Sequence, residues 1–313
     1  MAFNPLGQGG QPDGGQPRRR GMGMGGMRLW ILLAFAGYGL YYYFSNRTVD
    51  PYTGEKVLID KNLSVDDEKA LGLQAYQEIL SQERPIDPNS DIAKQIREIA
   101  QRLIAKTDEV EADLAAEKGL QPQNLAKDFE WDVTVIQSDQ VNAFCLPGGK
   151  MAVYSGLVPV AQNSDAMSIV MGHEIAHALL RHGAQRMSRQ KLEQLGQMAG
   201  AMSGIDPGMQ QAVFSAYGVT SQLPYARKHE TIADEIGLML AAAACFDPQE
   251  AIPLWQRMEQ AQGGRSQPKF ASTHPDPGTR IQNLQAMMPR AMAFKQKYCG
   301  TGGASGATGA AIH

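Results

Sequence analysis

The sequence predicts an α+β chain that is mostly helical, with a small β-sheet, preceded by one N-terminal transmembrane helix. Three observations predict it. Residues 29–44 carry no charge at all. Residues 66–80 and 92–104 place apolar side chains three and four apart, as an amphipathic helix does. Residues 129–136 alternate with period two, as a half-buried strand does. The chain has 313 residues, enough for a sizeable core.

Along the chain, residues 1–26 are rich in Gly, Gln, Pro and Met and bury too little to fold, so they read as a disordered tail carrying Arg18, Arg19 and Arg20. Residues 27–45 read as the anchor. Counted from Met27, the stretch is about 27 Å long as a helix, with Trp30 at one end and Tyr41, Tyr42 and Tyr43 at the other, where aromatic belts sit. Ala34-Phe35-Ala36 resembles a signal-peptide cleavage site, but cutting there would expose the apolar remainder, so a retained anchor is preferred. Arg18, Arg19, Arg20 and Arg28 precede the run and Arg47, Lys56 and Lys61 follow it, which favours the N-terminus inside. Residues 46–64 read as a linker with Pro51 and Gly54, and residues 65–298 as the folded domain. In it, Leu71, Leu73, Tyr76 and Leu80 mark one helix, and Ile92, Ile96, Ile99 and Leu103 a second. A short strand at 151–154 follows the turn Pro147-Gly148-Gly149, and the rest reads as helical. Residues 299–313 read as a flexible, Gly/Ala-rich tail.

The formal net charge of −3 and the lack of a basic block argue against a nucleic-acid partner. Cys145, Cys245 and Cys299 are too few for a disulfide scaffold or a Cys-rich zinc module. Either Cys245 and Cys299 bridge, or all three are buried or free thiols. Residues 197–210, rich in Gly and Met, read either as a lid over a cleft or as an ordinary interhelical loop.

The chemistry lies in His173-Glu174-x-x-His177. Histidines four apart share one helix face and can reach one metal ion, while Glu174, about 100° away, can act on water as general base. The flanking Ile169, Val170, Ile175, Leu179 and Leu180 make the helix apolar, and buried histidines beside a glutamate need a partner such as zinc. A catalytic zinc needs a third protein ligand. Glu230 is the candidate, with Asp234 one turn on to accept a ligand's ring N–H. His229 and Glu235 compete by type but point to other sides of that helix.

These residues resemble the M48 family of zinc metallopeptidases, in its bacterial periplasmic and mitochondrial Oma-like branch. The motifs stand in the family's order: Asn142-Ala-Phe-Cys-Leu-Pro-Gly-Gly149 with Val153-Tyr-Ser-Gly-Leu157, Gly172-His-Glu-Ile-Ala-His-Ala178, Leu223-Pro-Tyr-Ala-Arg-Lys-His-Glu230 with Ala233-Asp234, and Thr273-His-Pro-Asp-Pro-Gly-Thr-Arg-Ile281. The resemblance covers residues 65–290 and implies a zincin-like domain. It implies one zinc ion held by His173, His177 and Glu230, with Glu174 as catalytic glutamate and Asp234 supporting the site. It implies that His274 steadies the oxyanion, that Arg280 holds that segment, and that Asn142, Ala143 and Phe144 bind substrate as an edge strand. Cys145 stands where the family commonly has a small residue. A single span, unlike the multi-span members that process prenylated proteins, leaves that substrate class uncarried. The implied function is a membrane-anchored endopeptidase for unfolded or misassembled proteins, single-pass in a bacterial inner membrane with its catalytic domain in the periplasm. The alternative is a zinc-stabilised chaperone or assembly factor. Oligomeric state and natural substrate stay open.

Overall fold

A computed structural model describes residues 24–217, 223–262, 274, 279–300 and 310–312. Most of the tail expected over 1–26, and residues 301–309 and 313 of the C-terminal tail, lie outside the described residues. In order, the elements are α1 (Met24–Ser45), β1 (Arg47–Val49), β2 (Lys56–Leu58), α2 (Val65–Gln82), α3 (Asp91–Ile104), α4 (Thr107–Glu117), β3 (Asp132–Ile136), β4 (Ala143–Leu146) and β5 (Lys150–Tyr154). Then follow α5 (Val158–Ala161), α6 (Ser164–Leu179), α7 (His182–Ser203), α8 (Pro207–Tyr217), α9 (Leu223–Ala243), α10 (Ala251–Gln262) and α11 (Arg280–Cys299). The mostly helical reading with a small sheet holds.

Local chemistry sets the boundaries. Ser64 and Asp67 form a reciprocal capping box that starts α2. Ser90 caps α3 and Asn163 caps α6 by accepting backbone N–H groups of the first turn. Strand β5 is buried from Met151 to Tyr154 because it is central: it pairs parallel with β3 and antiparallel with β4. Gly148 and Gly149, both at positive φ, let β4 turn tightly into β5. Strand β4 is therefore one edge of the three-stranded sheet, with β3 the other, and it lies beside α6. The Tyr76 hydroxyl ties α2 to the sheet by donating to Thr134 Oγ1 at 2.7 Å.

Helix α6 is the centre of the core, buried at every position except His177, which is half-buried. Helices α9 and α3 pack against it, and α11 packs on α9. Cys245 and Cys299 form a disulfide that joins the far end of α9 to the end of α11, while Cys145 is free.

Four expectations change. Helix α1 forms where the span was expected, but no helix among the described residues is long and apolar enough to cross a membrane. The run is diluted by Gly37, Gly39 and four tyrosines, and one side lies along α7, where Tyr42 is buried. The stretch read as a linker holds a two-stranded antiparallel ribbon, β1 with β2. The Gly/Met-rich stretch 197–210 is largely helix, since Met and Ala extend α7 to Ser203; the break comes at Gly204, in a left-handed conformation, before α8. At the C-terminus, Ala311 bridges Asn163 and Ile312 is buried, so this short piece docks at the start of α6.

Candidate metal centre

The site is built where α6 crosses α9. The crossing is close because both helices present glycine to it: a Cβ on Gly172 would meet Gly237 O at 2.7 Å. That approach brings His173 and His177 of α6 against Glu230 and Asp234 of α9. His274 and Arg280, the latter at the start of α11, close the third side.

The donor atoms converge. His173 Nε2 and His177 Nε2 are 3.0 Å apart. Glu230 Oε2 lies 3.3 Å from His173 Nε2, and Glu230 Oε1 lies 3.4 Å from His177 Nε2. His274 Nδ1 lies 3.2 Å from His173 Nε2 and 2.9 Å from Glu230 Oε2. Two ligands at about 2.0–2.1 Å from one tetrahedral ion stand about 3.3 Å apart. The side chains present therefore fit a single small metal ion. His173, His177, Glu230 and His274 form such a group with all four atoms within 4.8 Å of one another.

Around them sits a buried electrostatic frame. His173 Nδ1 lies 2.8 Å from Asp234 Oδ1, and Arg280 donates to that same oxygen at 2.6 Å. The Arg280 guanidinium in turn lies over the Trp255 ring, 3.6 Å from its centroid. Burial alone would raise the Asp234 pKa, but Arg280 and His173 outweigh it and hold the carboxyl below its usual range. Burial also opposes charge on His173, yet the hydrogen bonds to Asp234 and Glu230 prevail and raise its pKa to about 9. Glu230 is desolvated too, but His173, His177 and His274 hold it far below the carboxylate range. Burial lowers His177.

Glu174 is buried at the same centre. Its Oε1 has no hydrogen-bond partner among the described residues and lies 3.4 Å from His274 Nε2. It faces β4: after burial, the Glu174 charge is what raises the pKa of the Cys145 thiol. Ala143 and Phe144 lie in that edge strand. Asn142 just precedes it, with its backbone carbonyl accepting from Tyr154 N at 3.0 Å.

The structure thus brings together His173, Glu174, His177, Glu230, Asp234, His274 and Arg280. His274 stands among the donors rather than apart from them, which its expected oxyanion role did not anticipate. Of the two competitors, Glu235 pairs with Arg290 outside the centre. His229 points to Gln185 Oε1, 3.2 Å away. Sequence reasoning missed His182, whose Nδ1 lies 2.7 Å from His177 Nδ1. No helical spacing connects the two, so only the break between α6 and α7 could have signalled the contact.

The model of peptidase family M48 matches residues 104–288. The mitochondrial metalloendopeptidase OMA1 of Schizosaccharomyces pombe is 32% identical over 270 residues, 85% of this chain and 74% of its own length. Human mitochondrial metalloendopeptidase OMA1 is 36% identical over 180 residues, 54% of this chain and 34% of its own. The beta-barrel assembly-enhancing protease of Escherichia coli is 30% identical over 161 residues, 48% of this chain and 33% of its own. These findings overturn the expected single-pass location in a bacterial inner membrane: relatives matching over most of the chain are mitochondrial, and no described helix is long and apolar enough to span. The family match takes in more than half of the sequence, including the His173, His177 and Glu230 cluster, and so the chain belongs to peptidase family M48 and is a metalloendopeptidase.

Proposed function

We propose that this metalloendopeptidase is zinc-dependent and cleaves unfolded or misassembled proteins. His173, His177 and Glu230 would hold the ion; imidazole and carboxylate donors in a buried, tetrahedrally spaced set suit zinc best. When bound, zinc supplies Lewis-acid polarisation of a carbonyl and lowers the pKa of a coordinated water toward about 7.

The remaining steps belong to the chain's own residues. Glu174 takes the proton of the attacking water and returns it to the leaving amine. Asp234, locked by Arg280, holds His173 in the tautomer that leaves Nε2 free to coordinate. A catalytic centre needs one open position, so the His274 side chain gives up its place among the donors during turnover. Before that movement its Nε2 lies 3.4 Å from Glu174 Oε1 and its Nδ1 2.9 Å from Glu230 Oε2, so a short displacement would keep the imidazole beside the site as a donor to the developing oxyanion.

The observation that carries the substrate class is the edge strand. Strand β4 pairs with β5 on one side and with no strand on the other among the described residues, and it runs beside the helix that bears Glu174. An extended chain adding to it at Asn142–Phe144 would bind through main-chain hydrogen bonds, which favour any unfolded segment over a folded one. The name of the E. coli relative ties a similar protease to β-barrel assembly, which supports an incompletely assembled protein as substrate.

The test is cleavage of a denatured protein by the full chain, as wild type and as Glu174→Gln, with zinc content measured in both. The expected result is equal zinc and a rate loss on the order of 10²–10⁴ in the variant. Equal cutting by both would show that Glu174 is not the base.

A further inference from the structure

The two histidines of the zinc motif are not supported alike, and the support of the second depends on a residue outside the motif. His173 has a carboxylate behind it, Asp234. Behind His177 stands a third imidazole. His177 Nε2 is the nitrogen turned toward His173 and Glu230, so it is the coordinating atom. In a neutral imidazole the other nitrogen, Nδ1, then carries the proton. That Nδ1 lies 2.7 Å from His182 Nδ1, and two nitrogens this close must be one donor and one acceptor. We propose that His182 is a positioning residue of the metal centre, accepting the Nδ1–H of His177 and so fixing its tautomer and ring plane for coordination. The proposal rests on the metal-site reading above.

The surroundings of His182 suit an acceptor. The ring is buried and meets His177 nearly edge-on, at 71° between planes. Its face stacks on His229, with centroids 3.8 Å apart and planes 5° apart. His229 is itself oriented: its Nε2 points at Gln185 Oε1, which also accepts from the Tyr225 hydroxyl at 2.5 Å. Gln185 Nε2 donates to Leu180 O at 2.8 Å, which fixes the amide so that its oxygen faces both donors. The chain Tyr225–Gln185–His229 thus holds the plane of His182, and His182 holds His177.

The backbone explains why His182 can do this. In an unbroken helix, residues five apart point about 140° away from each other. Here α6 ends at Leu179, and Arg181 adopts φ +52, a left-handed conformation. Its guanidinium is held by Glu68 of α2. The resulting turn swings the first residue of α7 back against the last turn of α6. A neutral imidazole withdraws the ligand's proton less than a carboxylate does. The two histidines therefore differ in basicity, with His177 the weaker donor to the ion.

The experiment measures Zn²⁺ affinity of the full chain by competition with a chromophoric chelator, for wild type, His182→Phe and His182→Asn. Phe keeps the ring and the stack on His229 but has no acceptor; Asn loses the ring but offers Oδ1 at a similar reach. Loss of a partner of this kind typically costs about 10–100-fold in metal affinity. The expected result is a loss of that order in His182→Phe and recovery to within about threefold of wild type in His182→Asn. Wild-type affinity in His182→Phe overturns the proposal. Equal loss in both variants, with circular dichroism unchanged, overturns it too, because ring volume rather than the acceptor would then matter. A wild-type chain that binds no Zn²⁺ would instead remove the metal-site reading on which the proposal stands.

Discussion

The crossing of α6 and α9 can be tested with one methyl group. In Gly237→Ala the new Cβ would stand 2.5 Å from His173 N, 2.7 Å from Gly172 C and 2.8 Å from His173 Cα. Ordinary contacts to a Cβ lie at 3.4–4 Å, and all three neighbours are backbone atoms that cannot rotate away. The helices must part locally by about 1 Å. Overpacking of this sort costs about 1–3 kcal/mol, here near the upper end because both sides are rigid. Alanine returns up to about 1 kcal/mol of helix propensity. The net loss is about 2 kcal/mol, which lowers the melting temperature by roughly 4–8 °C. The chemical effect is larger. His173 and His177 stand on one side of the crossing and Glu230 on the other, and metal sites tolerate only about 0.2 Å in ligand distance. Zinc affinity should fall more than tenfold. Thermal melts with and without zinc, together with chelator competition, measure both. Gly39→Ala in α1 is the control, since its Cβ meets nothing within 4 Å. It should be neutral or slightly stabilising. A Gly237→Ala protein with wild-type melting and wild-type zinc affinity would refute the argument that this contact sets the site.

Arg280→Ala leaves the Asp234 carboxylate buried with its main cation gone, which should cost about 3–5 kcal/mol; urea unfolding reads it, and wild-type stability would show that Arg280 is dispensable. Reducing the Cys245–Cys299 bond frees a loop with a sequence separation of 54 and should cost about 4 kcal/mol by the chain-entropy relation; an unchanged melt in reductant would contradict this. His173 has a folded-state pKa raised from 6.5 to about 9 in the metal-free protein, so its contribution to stability is full below pH 6.5 and lost as pH rises through about 9. Zinc needs that nitrogen free, so apparent zinc affinity should rise through the same window; melts of the chelator-treated protein and affinity titrations across pH 6–9 check both signs.

What was legible in the sequence follows from how local each signal is. Helices α2 and α3 announce themselves by Ser caps and by three- and four-residue spacing, and they appear within a residue or two of the expected bounds. Strand β5 is short but continuous, and the glycine turn before it fixes its pairing with β4. The His173–His177 pair is legible because four-residue spacing on one helix puts both imidazoles on one face. Where the reading failed, distant contacts decide. The ribbon β1–β2 looked like a linker because each strand is three residues long and neither alternates clearly. Stretch 197–210 looked irregular because its glycines outweighed Met and Ala, yet α1 packs along α7 and supplies the contacts that propensity lacks. The uncharged run of α1 suggested a span, but its tyrosines and glycines lower its hydropathy, and one side packs on protein. His182 was invisible because its contact depends on a single backbone angle at Arg181.

The buried carboxylates of the centre suit a divalent ion, and they are not all held alike. Glu174, Glu230 and Asp234 are all buried, against one buried guanidinium, that of Arg280. Three negative charges against one positive would be costly in an apolar interior. A divalent ion balances the set, and a protonated His173 goes only part of the way. The three carboxylates are nevertheless treated differently. Asp234 is held by Arg280 and His173, and Glu230 is held by three imidazoles. Only Glu174 keeps an oxygen with no hydrogen bond among the described residues. Within the segment 227–238, which by itself reads as a solvated charged helix face, Arg227 and Lys228 stay exposed while Glu230 and Asp234 are buried where α6 supplies His173 and His177 opposite them, and the different surroundings of the acids follow from which of them those histidines and Arg280 occupy.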